Sequence, residues 1–253
     1  MAGALDGTVA LVTGASSGIG EATALALAAQ GAAVAVAARR RDRLEALAER
    51  APAGARLLVL ETDVTDEDQC RRMVEATVGE FGRLDTLVNN AGVMLLGPIE
   101  GAPTEEWRRM VHLNVLGLLY CTHAALPHLL AAAEEEPRRV ADVVNVSSVA
   151  GRVARRDSGV YNATKWGVVA FSESLRQEVT TRHVRVTIVE PGATKSELAF
   201  HNRPEVLEQM AQNFGGVELL ESDDIANAVV YAVTQPRRVS VNEILVRPTE
   251  QER

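Results

Sequence analysis

Two cysteines in 253 residues, Cys70 and Cys121, are too few and too isolated to make a disulfide framework, which suits a reduced, intracellular setting. The five histidines, His112, His123, His128, His183 and His201, form no HExxH and have no cysteine pairs beside them, so no metal is expected. There is no basic excess either. A formal net charge of −8 disfavours nucleic acid and anionic membrane as partners and points to a small molecule. The start, "MAGALDGTVALVTG", lacks a basic segment followed by a signal-length apolar run, and no apolar segment is expected to reach membrane-spanning length, so the cytoplasm is the expected location. Solenoid-length repeats and long low-complexity tracts are also missing.

What remains is 47% hydrophobic and 24% charged, a composition that suits a globular protein with a full core and, at this length, one α/β domain over 1–253. Seven short runs read as strands: "TVALVTG", "AAVAVAA", "RLLVLETD", "DTLVNNAG", "VADVVNVSS", "VRVTIVEPG" and "NEILVRPT". Most are continuously apolar, the pattern of parallel strands covered on both faces. Segments of helical periodicity lie between them, so the expected fold is a Rossmann-type doubly wound parallel sheet with a ligand crevice at the carboxyl ends of its strands. "AAAEEEPRRVAD" reads as a solvated turn. The stretch after the sixth strand is too long for an ordinary connection, and residues 193–220 are expected to form a lid.

The first strand runs into "TGASSGIG". Gly14, Gly18 and Gly20 permit positive φ and let backbone N–H groups approach a phosphate at a helix N-terminus. The spacing is GxxxGxG, not GxGxxG, and a glycine turn alone also serves simple chain reversal. After the second strand the acid that would hold ribose hydroxyls is missing: "AVAARRRDRL" places Ala38 there, followed by Arg39, Arg40 and Arg41. Guanidinium groups suit a 2′-phosphate. The expectation is NADP(H), read first by Arg39 and then by Arg40, with a solvated basic helix start as the alternative. Asp63 and Val64 end the third strand where an adenine would lie.

In "SGVYNATKWGVVAF", Tyr161 and Lys165 are spaced i, i+4 on one helix face. A nearby positive charge favours phenolate, so the lysine is expected to lower the tyrosine's pKa and make it a general acid/base. An interfacial tyrosine beside a snorkelling lysine is the bland alternative.

Taken with Asn89-Asn90-Ala91-Gly92, Asn114, "NVSS" ending at Ser148, and Pro191-Gly192, these motifs resemble those of the short-chain dehydrogenase/reductase family over nearly the whole chain. Within it, "GASSGIGEATALALA", "NNAGVMLLGPIE", "SLRQEV" and "NEILVRPT" are most similar to the NADP-dependent 3-hydroxy acid (serine) dehydrogenases and clavulanic acid dehydrogenase. The resemblance implies hydride exchange between a nicotinamide and a small alcohol or carbonyl compound. It implies Tyr161 as proton carrier, Lys165 on the nicotinamide ribose, Ser148 as donor to the substrate oxygen, with Ser147 as the lesser choice, and Asn114 holding a water that leads to the lysine. It also implies cofactor contacts at Ser16, Ser17, Ile19, Asn90, Ala91, Gly92, Pro191, Gly192 and Thr194, and a homotetramer or, failing that, a dimer.

Candidate pocket residues are Val93, Met94, Leu95, Val149, Val153, Arg155, Ala193 and Phe200. At least one of Arg152, Arg155 and Arg156, which lie between Ser148 and Tyr161, is a candidate to hold a substrate carboxylate; the alternative leaves all three in solvent. Two other classes of function stay in view: a catalytically idle dinucleotide-binding module, and an epimerase or dehydratase using the same YxxxK.

Overall fold

Seven apolar runs become seven parallel strands, β1 (Val9–Thr13), β2 (Ala33–Ala38), β3 (Leu57–Glu61), β4 (Thr86–Asn89), β5 (Ala141–Val146), β6 (Val184–Pro191) and β7 (Glu243–Val246). We describe them from a computed structural model covering residues 3–213 and 215–252. The sheet order is β3-β2-β1-β4-β5-β6-β7. Successive crossovers step one way from β1 to β3 and the other way from β4 to β7, so a crevice opens between β1 and β4 at their carboxyl ends.

Strands β1, β2, β4, β5 and β6 are buried throughout because both faces are covered, while edge strands β3 and β7 are partly exposed. On one side Leu11, Ala35, Leu87, Val143 and Val186 pack under α3 (Glu67–Phe81), α5 (Leu118–Ala132) and α6 (Gly159–Val179). On the other, Val12, Val36, Val88, Val144 and Val189 meet α1 (Gly18–Ala29), α2 (Arg41–Glu49) and α8 (Ser222–Val233). Alternate residues of each strand thus enter different cores, as a period of two requires. Local signals set the helix ends: the Asp66 carboxylate accepts from Gln69 N at the start of α3, and Gly82, at φ 84°, ends it.

Helix α4 (Thr104–Val111) continues through a π-helical turn, His112–Gly117, into α5. The expectation that no apolar segment reaches spanning length is corrected here: Thr104–Ala132 is long and apolar enough by length and composition, because the three pieces join end to end. Only 39% of its most apolar window is buried, where α5 packs on α3 and on β4 and β5. The two cysteines, distant in sequence, also meet between α3 and α5, with Sγ atoms 3.5 Å apart and both thiols free.

Buried polar groups tie the layers together. Asn89 Nδ2 donates to Thr122 Oγ1 and Asn145 Oδ1, each at 2.9 Å, and Asn145 Nδ2 donates to Ser172 Oγ at 2.8 Å, fixing α5 and α6 onto β4 and β5. At the opposite end of the sheet, buried Asp142 accepts from Arg185 Nε at 2.7 Å and Nη2 at 2.9 Å, and from Arg138 Nη1 at 3.1 Å. Arg138 shows that the turn "AAAEEEPRRVAD" is not wholly solvated. Removing one partner of a buried ion pair strands the other charge. Asp142→Ala is therefore expected to lower unfolding free energy by about 3–5 kcal/mol, measured by urea denaturation, while an unchanged midpoint would refute the clamp.

Candidate active site

The turn after β1 is held against the end of β4. Thr13 Oγ1 accepts from Asn90 N at 3.1 Å and Ala91 N at 3.2 Å, while Asn90 Nδ2 donates to Thr13 O at 3.0 Å and Gly14 O at 3.2 Å. This approach leaves no room for side chains: a Cβ on Gly14, whose φ is 66°, would lie 2.8 Å from Ala91 Cα, and one on Gly20 would lie 2.4 Å from Asn90 Nδ2. Simple reversal would not need that contact. Gly20 serves packing, while Gly14, Ser16, Ser17, Gly18 and Ile19 face a cleft of about 1390 Å³. Its size, its glycine-lined floor and the hydroxyls at the start of α1 fit a dinucleotide.

At the adenosine end Arg39, Arg40, Asp63 and Val64 line the same cleft. Of the two arginines, Arg40 is the one tied to the glycine turn. Arg40 donates to Ser16 Oγ through Nε at 3.2 Å and Nη2 at 2.9 Å, and to Ser17 Oγ through Nη2 at 2.9 Å; both arginines are exposed. The chain turns from β2 into α2 at these residues, and the turn swings Arg40 back over the glycine loop. Asp63 is engaged locally, accepting from Thr65 N at 3.0 Å and Thr65 Oγ1 at 2.8 Å.

Farther along the cleft lie Asn90, Ala91, Gly92, Ser148, Tyr161, Lys165, Pro191, Gly192 and Thr194. Ser148 caps the short 3-10 turn Val149–Gly151, its Oγ accepting from Ala150 N at 3.1 Å, and its side chain lies close enough to the Tyr161 phenol to favour the ionised form. Ser147 turns away and donates to Lys165 O at 3.1 Å. Asn162, next to the tyrosine, donates to Ala150 O at 2.7 Å and Val153 O at 3.0 Å and accepts from Arg155 N at 3.2 Å. It thereby locks the serine turn to the start of α6.

Lys165 is buried, with Nζ donating to Val146 O at 2.9 Å, and its ammonium lies 5.9 Å from the centre of the Tyr161 ring. The expected lowering of the tyrosine pKa does not occur. Burial pushes the phenol up to about 12, opposed by the nearby Ser148 hydroxyl. Burial also lowers Lys165 to about 8. Since the folded value lies below that of a free lysine, carrying the charge at neutral pH costs about 3 kcal/mol. That cost fades as pH rises from about 8 towards the free-lysine value.

Asn114 does not line the cleft. It sits in the π-helical turn, where such irregularity often marks a functional position. Its Oδ1 accepts from Val93 N at 2.8 Å, and Nδ2 donates to Val93 O at 2.9 Å and Thr164 Oγ1 at 3.2 Å. A methyl group on Gly92 would lie 3.4 Å from Asn114 Oδ1 and 3.8 Å from Lys165 Nζ, so the space beside Gly92 adjoins both.

Of the pocket candidates, Val93, Met94, Val149, Arg155, Ala193 and Phe200 line the cleft. Leu95 instead packs in a small core with Val93, Met110 and Tyr161, and Val153 is used through its backbone. Arg152 is likewise corrected: its Nε bonds both oxygens of fully buried Glu190 at 2.7 and 2.9 Å, and Nη2 pairs with Glu243. Arg156 is exposed beside Asp157. Of the three arginines, Arg155 and Arg156 line the cleft and Arg152 does not.

Across its mouth, residues 193–220 form the 3-10 turn Glu197–His201 and α7 (Pro204–Asn213), residue 214 lying outside the described residues. Asn202 holds this segment down, accepting from Leu96 N at 2.7 Å and donating to Met94 O at 3.0 Å. Glu197, Asn202 and Gln251, whose Oε1 accepts from Ala193 N at 2.9 Å, carry no sequence signal because their partners are remote in the chain.

Comparison with known proteins agrees with this geometry. The short chain dehydrogenase family model matches residues 8–207, and the chain belongs to that family. It is 41% identical over 251 residues to glycine betaine reductase ATRR of Emericella nidulans, an alignment covering 98% of this chain but only 19% of that protein. An uncharacterized oxidoreductase of Staphylococcus saprophyticus is 36% identical over 249 residues, 96% of each chain. Among solved structures, the closed form of serine dehydrogenase complexed with NADP+ superposes with a TM-score of 0.87 at 29% identity, covering 97% of each chain.

Proposed function

We propose that the protein is an NADP(H)-dependent oxidoreductase that transfers hydride between a nicotinamide and a small alcohol or carbonyl compound, with a hydroxy acid or aldehyde as the favoured class. The observation that carries this reading is the meeting of the Ser148 and Tyr161 hydroxyls in the cleft that the glycine turn and Arg40 also line. An idle binding module has no need of a buried phenol and ammonium, groups that cost free energy to desolvate. The cofactor, when bound, supplies or accepts the hydride.

The chain's own residues do the rest. Ser148 and Tyr161 donate hydrogen bonds to the substrate oxygen, and Tyr161 passes its proton there during reduction. With its pKa at about 12, the phenol is a fully loaded acid at neutral pH. The ammonium of Lys165 then faces a growing negative charge on the phenol oxygen. Lying 5.9 Å from the centre of the phenol ring, it favours that charge by Coulomb attraction. Asn114 holds the Gly92–Val93 backbone beside the lysine and is the candidate to relay protons to it. Ala38 at the end of β2 offers no carboxylate to ribose hydroxyls, which with Arg40 favours NADP(H) over NAD(H). Arg155, on the cleft with the more exposed Arg156, is the candidate to meet a carboxylate-bearing substrate. Residues 193–220 act as the lid of this single catalytic domain.

The apolar surface left outside supports a homotetramer, with a dimer as the second choice. Val111 and Trp166, on α4 and α6, are exposed, as are Tyr231 on α8 and Leu245 on edge strand β7, giving two separate faces suited to two kinds of contact. Light scattering at micromolar concentration should give the mass of four chains; a fully active monomer would refute the assembly. For the chemistry, Tyr161→Phe is expected to abolish NADPH-dependent reduction while leaving NADPH binding in place. Ser148→Ala should cost about 100- to 1,000-fold in turnover. Steady-state rates with a panel of aldehydes, ketones and 3-oxo acids test both, and near-normal turnover by Tyr161→Phe would sink the mechanism.

A further inference from the structure

The adenosine end of the cleft contains an acid where the lid begins. Glu197 opens the 3-10 turn after β6, and its carboxylate reaches across to the β2–α2 connection. Oε2 lies 2.8 Å from Arg40 Nη1 and Oε1 lies 3.9 Å from Arg43 Nη1. Arg40 first, with a further hydrogen bond from Ser17, holds this carboxyl below its usual range. The same Arg40 guanidinium bonds Ser16 and Ser17. Behind Glu197, Ser196 rests on the glycine loop, its Cβ only 3.3 Å from where a Cβ on Gly18 would stand.

A second observation shows how cationic this corner is. His201, at the other end of the turn, is held below its usual pKa by burial and then by Arg109, Arg39 and Arg40, with Glu197 opposing them. Two guanidinium groups and a serine hydroxyl at the start of α1 therefore converge on one carboxylate. That donor set is suited to a phosphate monoester, which carries more charge and more acceptor oxygens than a carboxylate.

We propose that Glu197 is a specificity-determining residue: its carboxylate occupies the place of the cofactor's 2′-phosphate and has to leave Arg40 and Arg43 when that phosphate binds. This rests on the NADP(H) reading of the site. Two consequences follow. A cofactor without the 2′-phosphate can enter with the Glu197 pairs intact, whereas one that carries it must break them and free the first turn of the lid. Glu197 also holds down the preference for NADP(H), because part of the phosphate's binding is offset by the pairs it displaces.

The test is to measure dissociation constants for NADPH and NADH by titration calorimetry on the full chain, in wild type, Glu197→Gln and Arg40→Ala. Gln is isosteric, and the site is partly exposed, so the fold is expected to persist; thermal unfolding checks this, and Glu197→Ala provides a second variant. The half-exposed pairs and the like charge removed predict that Glu197→Gln binds NADPH about three- to tenfold more tightly, with NADH changed less than twofold. Arg40→Ala should weaken NADPH selectively. If wild type prefers NADPH and Arg40→Ala erases that preference, but Glu197→Gln leaves NADPH affinity unchanged, weakens it, or tightens both cofactors equally, the displacement proposal is overturned and the cofactor reading stands. If wild type binds the two cofactors equally, the cofactor reading fails and the proposal falls with it.

Discussion

The site depends on one buried charge, the Lys165 ammonium on the carbonyl of Val146. An isolated ammonium in an apolar interior is strongly disfavoured, and here the last carbonyl of a central strand provides its hydrogen bond. That requirement fixes where α6 begins relative to the end of β5. Asn145, next to the carbonyl, bonds Ser172 on α6, Ser147 bonds the lysine's own carbonyl, and Asn162 holds the serine turn. With the helix held at this depth, Tyr161 is buried four residues earlier, and its hydroxyl meets Ser148. In the proposed mechanism, the costs of burying phenol and ammonium are the conditions that make one a retained acid and the other a ready counter-charge.

The second half of the cleft works by approach instead of burial. Asn90 reaches back to Thr13 and Gly14 and holds β4 against the glycine turn, so the opening between the two halves of the sheet is narrow and lined by backbone. Over it lies a segment held by polar contacts to the molecule beneath: Asn202 to the Met94–Leu96 backbone and Glu197 to Arg40. Polar, partly exposed contacts of this kind break at low cost, which suits a covering that must admit a large ligand.

Much of this was legible in the sequence. Continuous apolar runs announced a sheet covered on both faces, the glycine turn lay where a first strand ends, and YxxxK placed two reactive groups on one helix face. What escaped depended on depth, direction or distance. The sign of the Tyr161 shift turns on full burial, which i, i+4 spacing does not report. Arg40 rather than Arg39 covers the glycine loop because of how the chain turns after β2. Arg152, adjacent to promising neighbours, is consumed by Glu190 and Glu243 from two other strands. Leu95 is taken up by a small core with Met110 and Tyr161, which meet it only in the fold. Thr104–Ala132 gained its length only when three segments joined through a π-helical turn.

The central claim is that Lys165 carries its charge in a buried place, and the composition makes this directly measurable. The chain has two lysines, Lys165 and Lys195. Lys195 is exposed and is held above the usual lysine range by its pairing with Glu221. In protein labelled with 13C at the lysine ε-carbon, NMR titration should show two separate transitions, one near 8 for Lys165 and one above the usual lysine value for Lys195, assigned by Lys195→Arg. A single transition, with both lysines titrating at the ordinary value, would contradict the account.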